Sequence, residues 1–217
     1  MELVADSQQA ARLGAELIAD FAAASIAERG SFTLAVSGGR APWRMFELLG
    51  EHDLEWERIE LFQVDERVAP DGHPDRNLTH LLASVPSAAV GRVRAMPVTD
   101  PDLDAGASRY AELLPAHLDL VHLGLGPDGH TASLVPGDPV LDVEDRLVAT
   151  TGIYQGRERM TLTYSALAAA RRVLWLVTGA EKSEALAKLR AGDRSIPAGR
   201  VEASDAVVVA DAEAVGG

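Results

Sequence analysis

The sequence predicts an α/β fold, a three-layer sandwich in which a mainly parallel sheet carries helices on both faces. Short, continuously apolar segments alternate with amphipathic segments of helical length along the chain. Strands without alternating polar positions are buried on both faces, which is typical of parallel sheets covered by helices. The 217 residues, 47% of them hydrophobic, suit one domain with a substantial core. We find no internal repeat or linker, so we expect a single domain over residues 1–217.

The first half of the chain contains four predicted helices and two predicted strands. Asp6 or Ser7 can cap a first helix that runs to about Ala27. Pro42 is well placed in the first turn of a second helix, which extends to about Leu49. The remaining elements are strands at Phe32–Val36 and Ile59–Val64, a helix over Arg76–Ser84 capped by Asp75, and a helix over Leu103–Leu114.

The second half continues the alternation with shorter segments. The predicted strands are Leu118–Leu123, Leu147–Thr151, Met160–Thr163, Val173–Thr178 and Ala206–Ala210. The predicted helices are Ser165–Ala170 and Glu181–Ala191, and Asp211–Gly217 is predicted to be a tail.

Composition excludes several classes of function. The formal net charge of −13 argues against nucleic acid or an anionic membrane as a partner. The absence of cysteine excludes a thiol nucleophile, a thiolate metal site and disulfides, and it fits a reducing compartment. No apolar run approaches membrane-spanning length, and the start, MELVADSQQAARL, lacks the order of a signal peptide. We therefore expect a soluble, cytoplasmic protein.

Ligands of parallel sheets bind beyond the carboxyl ends of the strands, so the residues that follow each strand are the candidates. Ser37-Gly38-Gly39-Arg40 follows the first long strand and leads into a helix. Two glycines, a helix N-terminus and an arginine suit a phosphate group, although a plain turn between strand and helix has the same pattern. The Gly-Lys-Ser/Thr ending of a Walker loop is absent.

Charged residues follow two other strands. Asp65-Glu66-Arg67 comes directly after a buried strand and could form a ligand clamp in which an acid holds the arginine. The alternative is a surface turn with an ion pair of little energetic value. Lys182 lies in a predicted first helical turn, where its charge opposes the helix dipole. It could therefore reach an anion, or it could extend into solvent.

The segment GLGPDGHTASL, residues 124–134, follows a further strand and begins with the pattern G-x-G-x-x-G. A dinucleotide site is nevertheless disfavoured on physical grounds, because Asp128 would lie against the pyrophosphate. Asp128 and His130 are two residues apart, so the carboxylate can fix the imidazole tautomer and raise its basicity. The pair therefore indicates a general base, whereas a structural histidine is the alternative.

Other motifs are weaker. Ser37 and Ser133 do not lie in G-x-S-x-G, which disfavours a serine hydrolase. No metal-binding spacing occurs among His52, His73, His80, His117, His122 and His130. Packing is the expected role of Trp43, Trp56 and Trp175.

Taken together, these motifs resemble the 6-phosphogluconolactonase family, within the glucosamine-6-phosphate isomerase/deaminase superfamily. The matching segments, in chain order, are LAVSGGRAP, FQVDERVAP, HPDRN, LGLGPDGHTASLVPG, RERMTLT, VTGAEKSEAL and IPAGRV. The DGHTASL block is long and specific, and the shared order of the others strengthens the resemblance. It covers most of the chain.

The resemblance implies a fold with a Rossmann-like sheet and an activity. The activity is hydrolysis of 6-phospho-D-glucono-1,5-lactone to 6-phosphogluconate in the pentose phosphate pathway, without a metal or organic cofactor. The only implied partner is the sugar-phosphate lactone, and the protein is expected to be a monomer or a small homo-oligomer.

The resemblance also implies roles for individual residues. His130 corresponds to the family's base and Asp128 to the residue that orients it. Substrate or phosphate contacts are implied for Ser37, Gly38, Gly39, Arg67, Arg159 and Lys182, and Arg40 is expected to add a charge to the phosphate site. Supporting roles are expected for Asp65, Glu66, Gly126 and Gly129, with Gly38–Gly39 and Gly126–Gly129 as alternative sources of N–H groups for an oxyanion.

The sequence departs from the family pattern in three places. Arg40-Ala41 replaces the usual Ser-Thr, so Arg40 can stand in for a hydroxyl contact. Arg76-Asn77 replaces Ser-Asn, and TGIYQG at residues 151–156 replaces a proline-rich stretch.

Three rival functions remain. A glucosamine-6-phosphate deaminase or isomerase would continue DGH with Ala-Phe-Asn-Glu, where this chain has Thr131-Ala132-Ser133-Leu134. A non-catalytic sugar-phosphate sensor is disfavoured because Asp128 and His130 are both present. A nicotinamide-dependent dehydrogenase would bind NADP, which a binding assay can test.

Overall fold

The protein, described here over residues 1–216 by a computed structural model, contains ten strands and eight α-helices in that range. The strands are β1 (Glu2–Val4), β2 (Phe32–Val36), β3 (Ile59–Gln63), β4 (Asp65–Arg67), β5 (Val93–Arg94), β6 (Leu120–Leu123), β7 (Val148–Thr150), β8 (Arg159–Leu162), β9 (Val173–Val177) and β10 (Ala206–Asp211). The helices are α1 (Ser7–Arg29), α2 (Arg40–Leu49), α3 (Asn77–Ser84), α4 (Ser87–Val90), α5 (Leu103–Leu113), α6 (Tyr164–Ala168), α7 (Ser183–Arg190) and α8 (Ala212–Val215). No helix in residues 1–216 is long and apolar enough to cross a membrane.

The central sheet has seven strands in the order β1-β10-β9-β6-β2-β3-β5, and every neighbouring pair is parallel. From β2 the chain moves outward through β3 and β5, and it then returns to the other side of β2 through β6, β9 and β10. The strand order therefore reverses between β2 and β6. Such a reversal opens a crevice at the carboxyl ends of the two strands, where α/β proteins bind ligands.

Two cores lie on opposite faces of this sheet and confirm the predicted three-layer sandwich. Alternate residues of each strand point to opposite faces. Leu34 of β2 packs in the core formed with α1, α2 and α3, whereas the adjacent Ala35 packs in the core formed with α5, α7 and α8. Trp56 is buried in the first core and Trp175 in the second, as expected of packing residues.

A second, antiparallel sheet of order β4-β8-β7 packs beside the second core. The sequence predicts one strand over Ile59–Val64, but the chain changes sheets at Val64. Its N–H donates to Val36 of the central sheet, and its carbonyl accepts the N–H of Leu162 in β8. The residues 65–67 therefore form a strand that the periodicity did not predict, because three residues are too few to show one.

The first helix confirms Asp6 as its N-cap, since the carboxylate of Asp6 accepts the N–H of Gln9 at 2.8 Å. The helix continues to Arg29, two residues beyond the predicted end. Gly30 ends it with φ = 82°, a left-handed conformation that glycine adopts without steric cost.

The predicted cap of α3 is wrong. The Asp75 carboxylate instead pairs with Arg157 at 2.8 Å. The N–H groups of Asn77 and Leu78 donate to the two carboxylate oxygens of Glu66, at 2.7 and 2.8 Å. Glu66 of β4 therefore accepts the free N–H groups at the N-terminus of α3. Local sequence cannot indicate a partner that comes from a different element.

Several other boundaries differ from the predictions. The helix α2 begins at Arg40, so Pro42 is its third residue, and α7 begins after a 3-10 turn at Ala180–Lys182. Most of the predicted tail is ordered structure, because Asp211 ends β10 and its side chain caps α8. Gly217 lies outside the described residues. The strands β1 and β5 and the helix α4 were not predicted.

Candidate active site

A cavity of about 280 Å³ lies at the carboxyl ends of β2, β6 and β9, at the point where the strand order reverses. Ten of the residues predicted for the site line it: Ser37, Gly38, Gly39, Arg40, Asp65, Arg67, Gly126, His130, Arg159 and Lys182. Three predicted residues, Glu66, Asp128 and Gly129, do not line it. Loops and strands from distant parts of the chain therefore converge on one cleft.

His130 and Asp128 form a close pair at the cleft wall. The Nδ1 atom of His130 lies 2.5 Å from Oδ1 of Asp128, which also accepts the backbone N–H of His130 at 3.2 Å. Partial burial raises the pKa of the Asp128 carboxyl, but the backbone N–H and the charge of His130 outweigh it and hold that pKa below its ordinary value. The carboxylate therefore engages Nδ1 of the ring, and Nε2 is left for a ligand.

Gly126 and Gly129 shape the loop that carries His130. A Cβ atom on Gly126 would lie 2.0 Å from Nδ1 of His130, so only glycine allows the ring to occupy its position. The N–H of Gly126 donates to the His130 carbonyl at 2.8 Å, and the N–H of Gly129 donates to the Gly126 carbonyl at 3.0 Å. Both N–H groups are thus engaged within the loop.

The loop after β2 presents free donors. No protein acceptor within residues 1–216 takes the N–H of Gly38 or Gly39, and the buried hydroxyl of Ser37 also has no partner there. The N–H of Ser37 donates to Nδ1 of His122 at 3.3 Å. Burial lowers the pKa of His122 to about 3, so this imidazole is neutral and can accept. Unpaired N–H groups before a helix suit an anion.

Two arginines stand side by side in the same cleft. Arg67 of β4 and Arg159 of β8 are directly opposite each other in the antiparallel pair, and the Nε–H of each is buried without a partner in the described range. Burial lowers the pKa of Arg159, and the charge of Arg67 adds to this effect. Like charges in such a position destabilise a sheet. A bound anion would satisfy both guanidinium groups.

The Asp65-Glu66-Arg67 segment is neither a surface turn nor a single clamp. Asp65 and Arg67 line the cavity, while Glu66 points to the other side of β4 and is fully buried against α3. The Asp65 carboxylate accepts the hydroxyl of Ser133 at 2.6 Å. Burial raises the pKa of Asp65. Alternation along a strand therefore gives two neighbouring acids different roles.

Two further cations lie at the cleft. Lys182 lies in the 3-10 turn before α7, lines the cavity, and has a side chain that is 20% exposed. Its Nζ atom is 3.8 Å from a carboxylate oxygen of Glu181. Arg40 is exposed at the start of α2 and makes no ion pair with residues 1–216.

Sequence reasoning missed several residues of this region. Asn77 and Glu181 also line the cavity, as does Ala132, which has φ = 50°. A left-handed alanine is uncommon, and no sequence pattern predicts it. Tyr154 contacts the Asp128–His130 pair. The signal that could have found it is the departure of residues 151–156 from the family pattern.

Metal binding has no support from side-chain placement in the described range. No group of three or more His, Asp or Glu side chains within residues 1–216 could hold a metal ion.

Comparison with known proteins assigns the chain to a family. The family model of glucosamine-6-phosphate isomerases/6-phosphogluconolactonase matches residues 5–210. The chain belongs to this glucosamine-6-phosphate isomerase/6-phosphogluconolactonase family. A curated relative in the family, the 6-phosphogluconolactonase of a Synechocystis species, is 39% identical over 181 residues, which are 76% of this chain and 74% of the relative.

Solved structures of the family share the whole fold. The 6-phosphogluconolactonase of Thermotoga maritima superposes with a TM-score of 0.85 at 28% identity, covering 96% of this chain and 97% of its own. A monomeric glucosamine-6-phosphate deaminase also superposes with a TM-score of 0.85, at 20% identity, covering 100% of this chain and 99% of its own. The fold is therefore common to both activities and does not discriminate between them.

Proposed function

We propose that this protein hydrolyses 6-phospho-D-glucono-1,5-lactone to 6-phospho-D-gluconate, a step of the pentose phosphate pathway. The observation that carries the proposal is the Asp128–His130 pair, whose imidazole lines the same cleft as two arginines with unpaired N–H groups. A base and an anion site in one cleft suit a substrate that carries both a reactive carbonyl and a phosphate. The family relatives that carry the name 6-phosphogluconolactonase support the same reaction.

His130 acts as a general base in this proposal. Asp128 holds the proton on Nδ1, so Nε2 takes a proton from water while the water oxygen attacks C1 of the lactone. The carbonyl electrons move to oxygen and form a tetrahedral oxyanion. When that intermediate collapses, the bond between C1 and the ring oxygen breaks, and protonated His130 gives its proton to that oxygen. A positioned general base contributes roughly 10²–10⁴-fold to such a rate.

The oxyanion is assigned to the loop after β2. Of the two glycine loops that the sequence offers, the one at Gly126–Gly129 has its glycine N–H groups occupied by internal hydrogen bonds. The N–H groups of Gly38 and Gly39 are free of protein acceptors over residues 1–216. Fixed N–H donors that need no reorganisation stabilise developing charge efficiently.

The phosphate is assigned to the cationic side chains of the cleft. Arg67 and Arg159 offer unpaired guanidinium N–H groups, and Lys182 adds a third charge from the end of β9. The Ser37 hydroxyl and the exposed Arg40 extend this surface toward α2. Because the phosphate lies at the far end of the substrate from C1, its binding orients the lactone rather than activating it.

The lactonase is favoured over a deaminase by the segment that follows His130. In place of the glutamate expected of a deaminase, this chain has Leu134, which is fully buried, and the preceding Ser133 is bonded to Asp65. No carboxylate from this segment can assist ring opening of an amino sugar. A sensor without catalytic activity would bind the substrate and leave its lifetime unchanged.

A lactonase assay tests the proposal. The lactone is generated in situ with glucose-6-phosphate dehydrogenase, and its decay is compared with and without the protein, because the lactone also hydrolyses spontaneously. We expect an acceleration that is proportional to protein concentration. Absence of acceleration would overturn the proposal, and release of ammonia from glucosamine 6-phosphate would favour the deaminase instead.

A further inference from the structure

A tight turn brings Tyr154 against the loop that carries Asp128 and His130. The N–H of Tyr154 donates to the carbonyl of Arg157 at 2.9 Å, and the reverse bond measures 3.3 Å. The two central residues, Gln155 and Gly156, have φ values of 52° and 80°. Two consecutive positive φ angles define a type I′ turn, which joins tightly paired residues. The turn therefore fixes the direction in which the Tyr154 side chain leaves the backbone.

The phenol of Tyr154 contacts both members of the proposed base pair. Its hydroxyl donates to Oδ2 of Asp128 at 3.3 Å and lies 3.5 Å from Nδ1 of His130. The aromatic ring meets the imidazole edge-on, with 5.4 Å between the ring centroids. Burial and the charge of Asp128 raise the pKa of Tyr154, so the phenol stays protonated and remains a donor.

Tyr154 also contacts the anion side of the cleft. The guanidinium of Arg159 lies 4.9 Å from the centroid of the phenol ring, within range of a cation–π contact. The same guanidinium donates to the Tyr154 carbonyl and to the side-chain oxygen of Gln155, each at 3.3 Å. One residue thus lies between the base and a proposed phosphate ligand.

We propose that Tyr154 is a positioning residue for the Asp128–His130 pair, an inference that rests on the proposed base role of His130. Its hydroxyl holds Oδ2 of Asp128, so that Oδ1 faces Nδ1 of the imidazole. Its ring limits rotation of the imidazole, so that Nε2 stays directed at the cavity.

Nuclear magnetic resonance of the histidine rings tests this without relying on turnover. The His130 signals are identified by their loss in His130→Ala, and the tautomer and titration midpoint are then compared between wild type and Tyr154→Phe. We expect wild type to carry its proton on Nδ1. In Tyr154→Phe, Asp128 has lost a donor and stabilises the imidazolium more strongly. The midpoint then rises by about 0.5 pH unit, the equivalent of one modest hydrogen bond.

The other charged groups around the imidazole are the same in wild type and Tyr154→Phe, so their effects on the midpoint cancel in the comparison. The charged groups that line the same cleft are Arg40, Asp65, Arg67, Arg159, Glu181 and Lys182. Tyr164→Phe is the matched control, because its hydroxyl donates to the Pro197 carbonyl at 3.0 Å, outside this cleft. That variant leaves the His130 midpoint unchanged.

Kinetics separate positioning from substrate binding. Tyr154→Phe keeps the ring against Arg159, so kcat falls about fivefold, as loss of one hydrogen bond predicts, while KM stays the same. Tyr154→Ala removes the ring as well, so KM rises in addition and the His130 tautomer becomes mixed.

An unchanged His130 midpoint and tautomer in Tyr154→Phe would overturn the positioning role. If wild type does not accelerate lactone hydrolysis, the proposed function fails, and the spectroscopic comparison still decides the role of Tyr154.

Discussion

At the scale of single residues, the proposed reaction depends on a ring held from two sides. Asp128 fixes one nitrogen of His130, and Gly126 leaves the space in which the ring lies. Sequence spacing indicates that Asp128 and His130 can meet. It does not indicate that Gly126 lies beneath the imidazole, because that contact depends on the path of the loop between them.

Replacing His130 by alanine removes the proposed base. We expect kcat for the lactone to fall by roughly 10²–10⁴-fold, the contribution typical of a general base, with little change in KM. The side chain is partly exposed, so folding is retained and the denaturation midpoint stays close to that of wild type. His117→Ala is the control, since that ring contacts the Ala169 carbonyl at the protein surface. Near-normal turnover in His130→Ala would remove the residue from the mechanism.

Gly126→Ala tests the space beneath the imidazole. The new Cβ atom would lie 2.0 Å from Nδ1 of His130, so the ring must move away from Asp128. We expect kcat to fall at least about tenfold, because small displacements of a reacting group cost rate steeply. Gly91→Ala serves as the control, since nothing lies within 4 Å of its added Cβ atom. Equal activity of Gly126→Ala and wild type would contradict the geometry.

At the scale of elements, β4 links the fold to the site. Asp65 and Arg67 face the cleft, while Glu66 reaches back to cap α3 and to contact Nε of Arg76 at 3.0 Å. The sequence indicates a charged cluster at a strand end, which is correct. Alternation along β4 places Asp65 and Arg67 at the cleft and Glu66 at the helix. The sequence could not indicate this arrangement, because the three residues were not predicted to form a strand.

Glu66→Gln tests the structural half of this division. The amide puts donors where the N–H of Leu78 and the side-chain amide of Gln63 already donate, and it leaves Arg76 without its buried counter-charge. We expect the free energy of unfolding to fall by about 3–5 kcal/mol, measured by urea denaturation followed by circular dichroism. Asp71→Asn alters the exposed partner of the same arginine and costs less than about 1 kcal/mol. Similar stability of the two variants would disprove the capping role.

At the scale of the whole molecule, an acidic protein carries a local cationic cleft. The chain has a formal net charge of −13, yet Arg40, Arg67, Arg159 and Lys182 converge on one cavity. The net charge of the chain therefore does not predict the sign of the local charge at the cavity. The convergence arises because the antiparallel sheet presents Arg67 of β4 and Arg159 of β8 to the same cavity as the segments that follow β2 and β9 of the parallel sheet.

Inorganic phosphate tests the anion site directly. A ligand that binds only the folded state raises the melting temperature, with a gain of about 2.7 kcal/mol at a concentration 100 times Kd. We expect phosphate to raise the melting temperature more than chloride at equal ionic strength, and Arg67→Ala to abolish most of the difference. Arg194→Ala, which removes an exposed ion pair with Glu202, should retain it. An equal response to both salts would argue against the site.

The two cores predict cooperative unfolding as one domain. They share the central sheet, so neither can be lost without exposing the other face of the same strands. Trp56 reports on one core and Trp175 on the other. We expect tryptophan fluorescence and far-ultraviolet circular dichroism to give coincident urea transitions. Separate midpoints would indicate two independently folding parts.

The sequence alone determined the fold class, the order of the main elements and the position of the loop that carries His130. It could do so because the apolar periodicity and the strand-end glycines are local properties of the chain. Only the tertiary structure decided which charged residues face the cleft. It brought Tyr154 to Asp128, placed Arg159 opposite Arg67 and assigned Glu66 to a helix cap. These contacts join residues distant in the chain, and their pairing depends on strand register and on the direction in which each strand presents its side chains.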